Sequence, residues 1–343
     1  MMAFIYFLLI ILLFFFKTNK VLMKISYFLL LILFCFNMDN ADRGIYEWRL
    51  EQYEQTVGIT EPGYYALMAI FTKLNLNIQA LYIGVGLVYL SSLFYIVNKM
   101  SSKPNLVLAF YMLGIFLLDV TQLRATTSLV FVLWGFYNLY RIKETKRACM
   151  VFLLLIIVSA LFHTASLAYS LFIFSKITKK RLLLTLVSCL FGGLLFFKFV
   201  IIKYFGGLLD ISTKIQNIAE SDVYKGNNAN LITILLLLLL QCIYFSLIKL
   251  YGKNDVKIVI SNNMCILLFL LIPLISFSAD FRRIYYFISI FLIITLSNLV
   301  NVVDKKNICL CVFCLAFIYF FRVIYVGNYN TVLVPILTQN LLF

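Results

Sequence analysis

The stretch Asp119-Val120-Thr121-Gln122-Leu123-Arg124 sets an acid, an amide and an arginine between two long apolar runs, residues 106–118 and 125–140. Charge is costly in hydrocarbon unless it lines a watery, protein-walled cavity, so such a knot is read as a functional site by default. Two further knots repeat the pattern. Phe162-His163-Thr164 carries the single histidine of the chain. Asp280-Phe281-Arg282-Arg283-Ile284-Tyr285-Tyr286 again places charge between apolar segments. The sequence predicts that the three knots meet on one side of a membrane.

The runs that flank these knots decide the fold class. The 343 residues are 64% hydrophobic and 13% charged, where soluble chains carry roughly a quarter charged residues. Repeated apolar runs of about 15 to 20 residues indicate an all-α polytopic membrane protein with about 12 transmembrane helices. These runs lack the apolar-polar alternation of an outer-membrane barrel. The formal charge of +15 follows from topology. Six basic breaks, at 17–24, 98–103, 141–147, 176–181, 249–257 and 304–306, hold 18 Lys and Arg and three acids, the whole excess. Charge gathered in this way marks the cytoplasmic side, and it leaves no basic-aromatic platform for nucleic acid.

With those breaks inside, both termini are expected in the periplasm, with external loops near 39–77 and 203–230. No internal repeat appears, and 1–343 reads as one transmembrane domain. The first loop interleaves carboxylates with Tyr46, Trp48, Tyr53, Tyr64 and Tyr65. That mixture suits a carbohydrate surface, where rings stack on sugar and carboxylates accept hydroxyl hydrogens. It equally suits an interfacial aromatic belt. The eight cysteines fall in or beside apolar runs, so no disulfide framework is expected. Cys309-x-Cys311-x-x-Cys314 could suggest a metal site, but residues 309 and 311 face apart on a helix, and small buried side chains explain the cluster better.

Arg124, Arg282 and Arg283 lie opposite the basic breaks. Guanidinium matches phosphate with paired donors, so these arginines suit a lipid-borne diphosphate, or else they pair with Asp119 and Asp280. His163 could serve as a base toward a sugar hydroxyl or as a structural residue. Asp119 and Gln122 could orient Arg124 or contact sugar. Walker A, G-x-G-x-x-G, H-E-x-x-H and Asp-x-Asp motifs are absent from the sequence. Glycosyl transfer here would therefore lean on arginine rather than metal, and neither a metal nor a cofactor is expected.

The succession Glu61-Pro62-Gly63-Tyr64-Tyr65, Asp119 to Arg124-Ala125, Phe162-His163-Thr164-Ala165-Ser166 and Arg282-Arg283 to Tyr285-Tyr286 resembles the EpsG family of Wzy-type polysaccharide polymerases. Asp42-Arg43-Gly44-Ile45-Tyr46 is a compressed version of that family's first-loop motif, and Pro335 is followed by Ile336 where the family often has tyrosine. The resemblance implies a multi-pass protein of the bacterial inner membrane, acting in O-antigen, capsule or exopolysaccharide synthesis. It would join oligosaccharide units carried on undecaprenyl diphosphate at the periplasmic face, in company with a chain-length regulator and a flippase. The catalytic set expected is Arg124, His163, Arg282 and Asp119. Substrate contacts are expected from Arg283, Gln122, Glu61, Tyr64, Arg43 and Tyr285. A lipid-linked oligosaccharide flippase and a membrane O-acyltransferase are the competing readings.

Overall fold

The computed structural model describes residues 2–58, 61–196, 229–251, 256–271, 282–299 and 329–342. Among these the chain is helical, and the single extended pairing is a bridge between Asn37 and Asn340. The expected loop at 203–230 lies, as far as residue 228, outside the described residues. So do Asp280 and the cysteines 309, 311 and 314. Contacts divide the chain into two compact units, Met1–Ser170 with Asp304–Phe343, and Leu171–Val303.

The first unit opens with α1 (Met2–Phe15) and α2 (Lys20–Cys35), then α3 (Arg43–Glu51), α4 (Pro62–Lys73) and α5 (Ile78–Met100). Helix α6 (Pro104–Phe110) passes through one π turn (Tyr111–Ile115) into α7 (Phe116–Thr121). Helices α8 (Leu123–Arg141) and α9 (Thr145–Phe162) follow. Three described helices are long and apolar enough to cross a membrane: α5, the continuous Pro104–Thr121, and α9.

Side-chain oxygens and prolines fix where these helices begin. Asn19 accepts the N–H groups of Val21 and Leu22 at 2.9 and 3.1 Å, and Asn77 accepts that of Ala80 at 3.0 Å, which satisfies donors that a helix start leaves open. Pro62 and Pro104 each occupy a first turn, where a missing N–H costs nothing. Buried amides close helix ends in the same way. Asn105 donates to the carbonyls of Phe16 and Asn19 at 2.6 and 2.8 Å. In an apolar interior such carbonyls have no water to turn to.

Helix α8 packs along both α9 and α5, and α2 along α5. Gly135 admits the Phe152 ring, 3.2 Å from where a Cβ would stand. Small residues allow this approach between apolar helices. Beyond α9, Thr164–Lys176 is a 3₁₀ stretch of 13 residues. The sequence leaves this return arm short. At about 2.0 Å per residue, however, it covers about 26 Å, against about 20 Å as α-helix.

The second unit contains α10 (Lys180–Phe196), α11 (Ala229–Tyr251), α12 (Val256–Leu267) and α13 (Arg282–Leu299). Ser261 and Thr295 hydroxyls meet at 2.6 Å between α12 and α13. The Asn263 amide donates to the carbonyls of Ser175 and Ile177 at 2.8 and 2.7 Å.

Candidate functional site

The Glu61-Pro62-Gly63 motif explains itself once folded. Glu61 precedes α4 with extended backbone, and Pro62 fixes the first turn. A Cβ on Gly63 would stand 2.9 Å from the Leu161 carbonyl oxygen and 3.0 Å from its carbon. Only glycine lets the start of α4 lie directly on the end of α9. That contact sets Glu61 beside the residues where α9 stops. The stop is made by His163, whose N–H bonds the Ser159 carbonyl at 3.0 Å while its own carbonyl accepts the Ser166 N–H at 2.9 Å.

Glu61 is the centre of the cluster. Its Oε2 accepts from Arg124 Nη1 at 2.8 Å. Its Oε1 accepts the Thr164 N–H at 3.1 Å and the Thr164 hydroxyl at 3.3 Å. His163 Nδ1 stands 3.6 Å from the same oxygen, beyond hydrogen-bond length and close enough for an ion pair when the ring is protonated. The side chains of Arg124, Glu61 and His163 are 25%, 12% and 18% exposed, so the cluster is reached from outside and yet shielded. Burial pushes the Glu61 carboxyl up. The His163 side chain, the Thr164 N–H, its own N–H and the Arg124 charge outweigh burial and hold it well below the usual carboxylate range.

Arg124 owes its place to the break at Gln122, one non-helical residue between α7 and α8. The break separates the two charges of the knot. Asp119, 7% exposed, turns inward. Its Oδ2 accepts from Tyr89 at 2.5 Å and from Tyr111 at 2.9 Å, and its carbonyl accepts from Thr126 at 2.7 Å. The spacing of Asp119 and Arg124 offers them as partners, but Arg124 pairs with Glu61 instead. Serines stitch the surroundings: Ser159 donates to the Ser128 carbonyl at 3.0 Å, and the Ser128 and Ser166 hydroxyls meet at 2.9 Å.

Tyr64 is fully buried, with its ring 6.3 Å from that of Tyr46 and its hydroxyl without a partner among the described residues. Arg43 is buried as well. It donates to Glu47 at 2.8 Å, to Gln79 at 3.1 Å and to the Asn37 carbonyl, and its guanidinium lies 5.5 Å from the Tyr82 ring centre. Both side chains shape the support for the cluster from within. In the second unit Arg282 opens α13, Arg283 is half-buried, and Tyr285 and Tyr286 are buried.

Sequence reasoning gave Glu61 to sugar and passed over its position between Arg124 and His163. The signal was present, since an acid before Pro-Gly marks a helix start that must approach another backbone. Thr164, Tyr89, Tyr111 and Thr126 were missed as partners, and nothing in their spacing announces them.

A cluster of arginine, histidine and carboxylate, drawn from three separated motifs, sits in an apolar helical chain with the character of a membrane protein. The chain belongs to the EpsG family, whose pattern matches residues 20–336, and membership suggests a polysaccharide-polymerase-like role. No curated protein and no solved structure matches the chain.

Proposed function

We propose that the chain is a Wzy-type polysaccharide polymerase of the bacterial inner membrane. It spans the bilayer about twelve times with both termini in the periplasm. It joins oligosaccharide repeat units carried on undecaprenyl diphosphate at the periplasmic face. A hydroxyl of one lipid-linked unit attacks the anomeric carbon of the growing chain. The new carbon–oxygen bond forms as the bond to the diphosphate breaks, and the hydroxyl proton passes to His163. Arg124 neutralises the charge that gathers on the departing diphosphate, with no metal required, and the motif succession alone assigns Arg282 and Arg283, which belong to the second unit, to phosphate binding. Glu61 holds Arg124 and Thr164 and faces His163 Nδ1 at 3.6 Å, which leaves the opposite ring nitrogen for the hydroxyl. Asp119 fixes the break from which Arg124 projects, and Gln122 and Tyr285 are assigned to sugar.

The observation that carries this reading is the meeting of Glu61, Arg124, His163 and Thr164 within hydrogen-bond or ion-pair range. A proton acceptor and an anion binder side by side are what displacement of a diphosphate by a hydroxyl needs. The test is a gel of surface polysaccharide from cells lacking the chain, complemented with wild type, Arg124→Ala or His163→Ala. Collapse of the ladder to a single repeat, rescued by wild type alone at equal protein levels, supports the reading. An unchanged ladder in the deletion sinks it and brings flipping or acylation forward.

A further inference from the structure

A cleft of about 340 Å³ opens between α3, the end of α4 and the start of α5. Its volume lies in the range of small-ligand sites. Its lining includes the polar residues Glu47, Glu51, Thr72, Asn75 and Asn77, while the greater part of the wall is apolar. Neither lysine nor arginine lines it, so a diphosphate is not its ligand. Carboxylates, amides and a hydroxyl offer alternating acceptors and donors, the complement of a polyhydroxylated, uncharged sugar.

Much of this lining is held in place before any ligand arrives. Glu47 is tied to Arg43 at 2.8 Å, Asn77 caps α5 through the Ala80 N–H at 3.0 Å, and Thr72 bonds the Leu50 carbonyl at 3.3 Å. Fixed polar groups lose less entropy on binding than mobile ones. Asn75, also on the wall of the cleft, sits at φ 53°, a left-handed turn between α4 and α5.

Helix α4 joins this cleft to the Glu61 cluster. Glu61 stands just before its first residue and Thr72 is next to its last, and its 12 residues make about 18 Å of helix. Several linked sugar rings cover that length. We infer that the cleft is a second carbohydrate site, holding sugars of the repeat unit distant from the bond being made, with α4 setting the separation. This inference rests on the polymerase reading and adds to it a site for the uncharged part of the substrate.

Two variants test it. Glu51→Ala removes an exposed carboxylate. Asn75→Gly removes the amide and keeps the left-handed turn, which glycine adopts freely, so the fold is spared by construction. The probe is the free repeat-unit oligosaccharide, without lipid or phosphate, released from the surface polymer and titrated calorimetrically into the full chain in nanodiscs. Each variant is expected to weaken binding fivefold or more, and to raise KM for the lipid-linked unit with kcat within twofold. Arg124→Ala is expected to leave binding of the free oligosaccharide unchanged. Absence of binding to wild type, or equal binding by wild type and both variants, overturns the cleft as a sugar site. Failure of the polymerase reading appears elsewhere, as an unchanged ladder in the deletion strain.

Discussion

Gly63→Ala is the smallest change that reaches the Glu61 cluster, and its effect can be worked from the backbone. The added methyl would lie 2.9 Å from the Leu161 carbonyl oxygen and 3.0 Å from its carbon and Cβ. Those neighbours cannot swing away as a long side chain would. Helix α4 must retreat by roughly 0.5 to 1 Å, at an overpacking cost of about 1–3 kcal/mol. The Thr164 N–H and hydroxyl contacts, at 3.1 and 3.3 Å, then pass out of range first, and Glu61 loses its hold beside His163. A misplacement of about 1 Å at a reacting centre costs about 10²-fold in rate. On the proposed polymerase function, turnover of the lipid-linked unit is therefore expected to fall by one to two orders of magnitude, with most of the protein still inserted. Gly44→Ala is the control, since nothing lies within 4 Å of its added methyl. In helix α3 it should be neutral or stabilising by about 0.5–1 kcal/mol. Wild-type turnover and yield in Gly63→Ala would refute the close-approach account.

Three other outcomes follow. The depressed Glu61 carboxyl contributes stability that is fully present above the ordinary carboxylate range and is lost as pH falls through its lowered folded value. The melting difference between wild type and Glu61→Gln should thus be present at neutral pH and shrink in strong acid, below the ordinary carboxylate range; a difference that persists undiminished there refutes the assignment. Asp119→Ala strands two buried tyrosine hydroxyls, at about 1–3 kcal/mol each, whereas Asp119→Asn keeps an acceptor. Yield in detergent should drop for Ala far more than for Asn, and equal yields would argue against the tyrosine lock. Arg43→Ala removes a buried cation with three acceptors, so proteolysis should open α3 first; an unchanged cleavage pattern counts against it.

The helical membrane class was legible because apolar runs and basic breaks are properties of segments. The motif order across the chain was legible for the same reason, and it led to the EpsG family. Pairings across space were less so. Asp119 and Arg124 share one short stretch, yet the break at Gln122 sends Asp119 to Tyr89 on α5 and Arg124 to Glu61, 63 residues away. Arg43 reads as an exposed loop arginine, because its acceptors on Asn37 and Gln79 are scattered in sequence. Pro62 and Gly63 fall in the stretch read as an external loop, 39–77, and what α4 touches there depends on Leu161, which no local pattern names.

The pairing of Asn37 with Asn340 has a consequence for the order of assembly. Met38 and Leu341 donate to the carbonyls of Gln339 and Phe36 at 2.9 Å each, and the Asn340 amide reaches the Ile32 carbonyl across 308 positions. At roughly 5–20 residues per second of synthesis, the end of α2 waits on the order of 15–60 s for its partners. Until then the Phe36 carbonyl and the Met38 N–H must be satisfied by interfacial water. The support beneath the first loop is therefore among the last parts of this unit to set, and chains halted before residue 339 should carry an α2 whose end is still open to proteases.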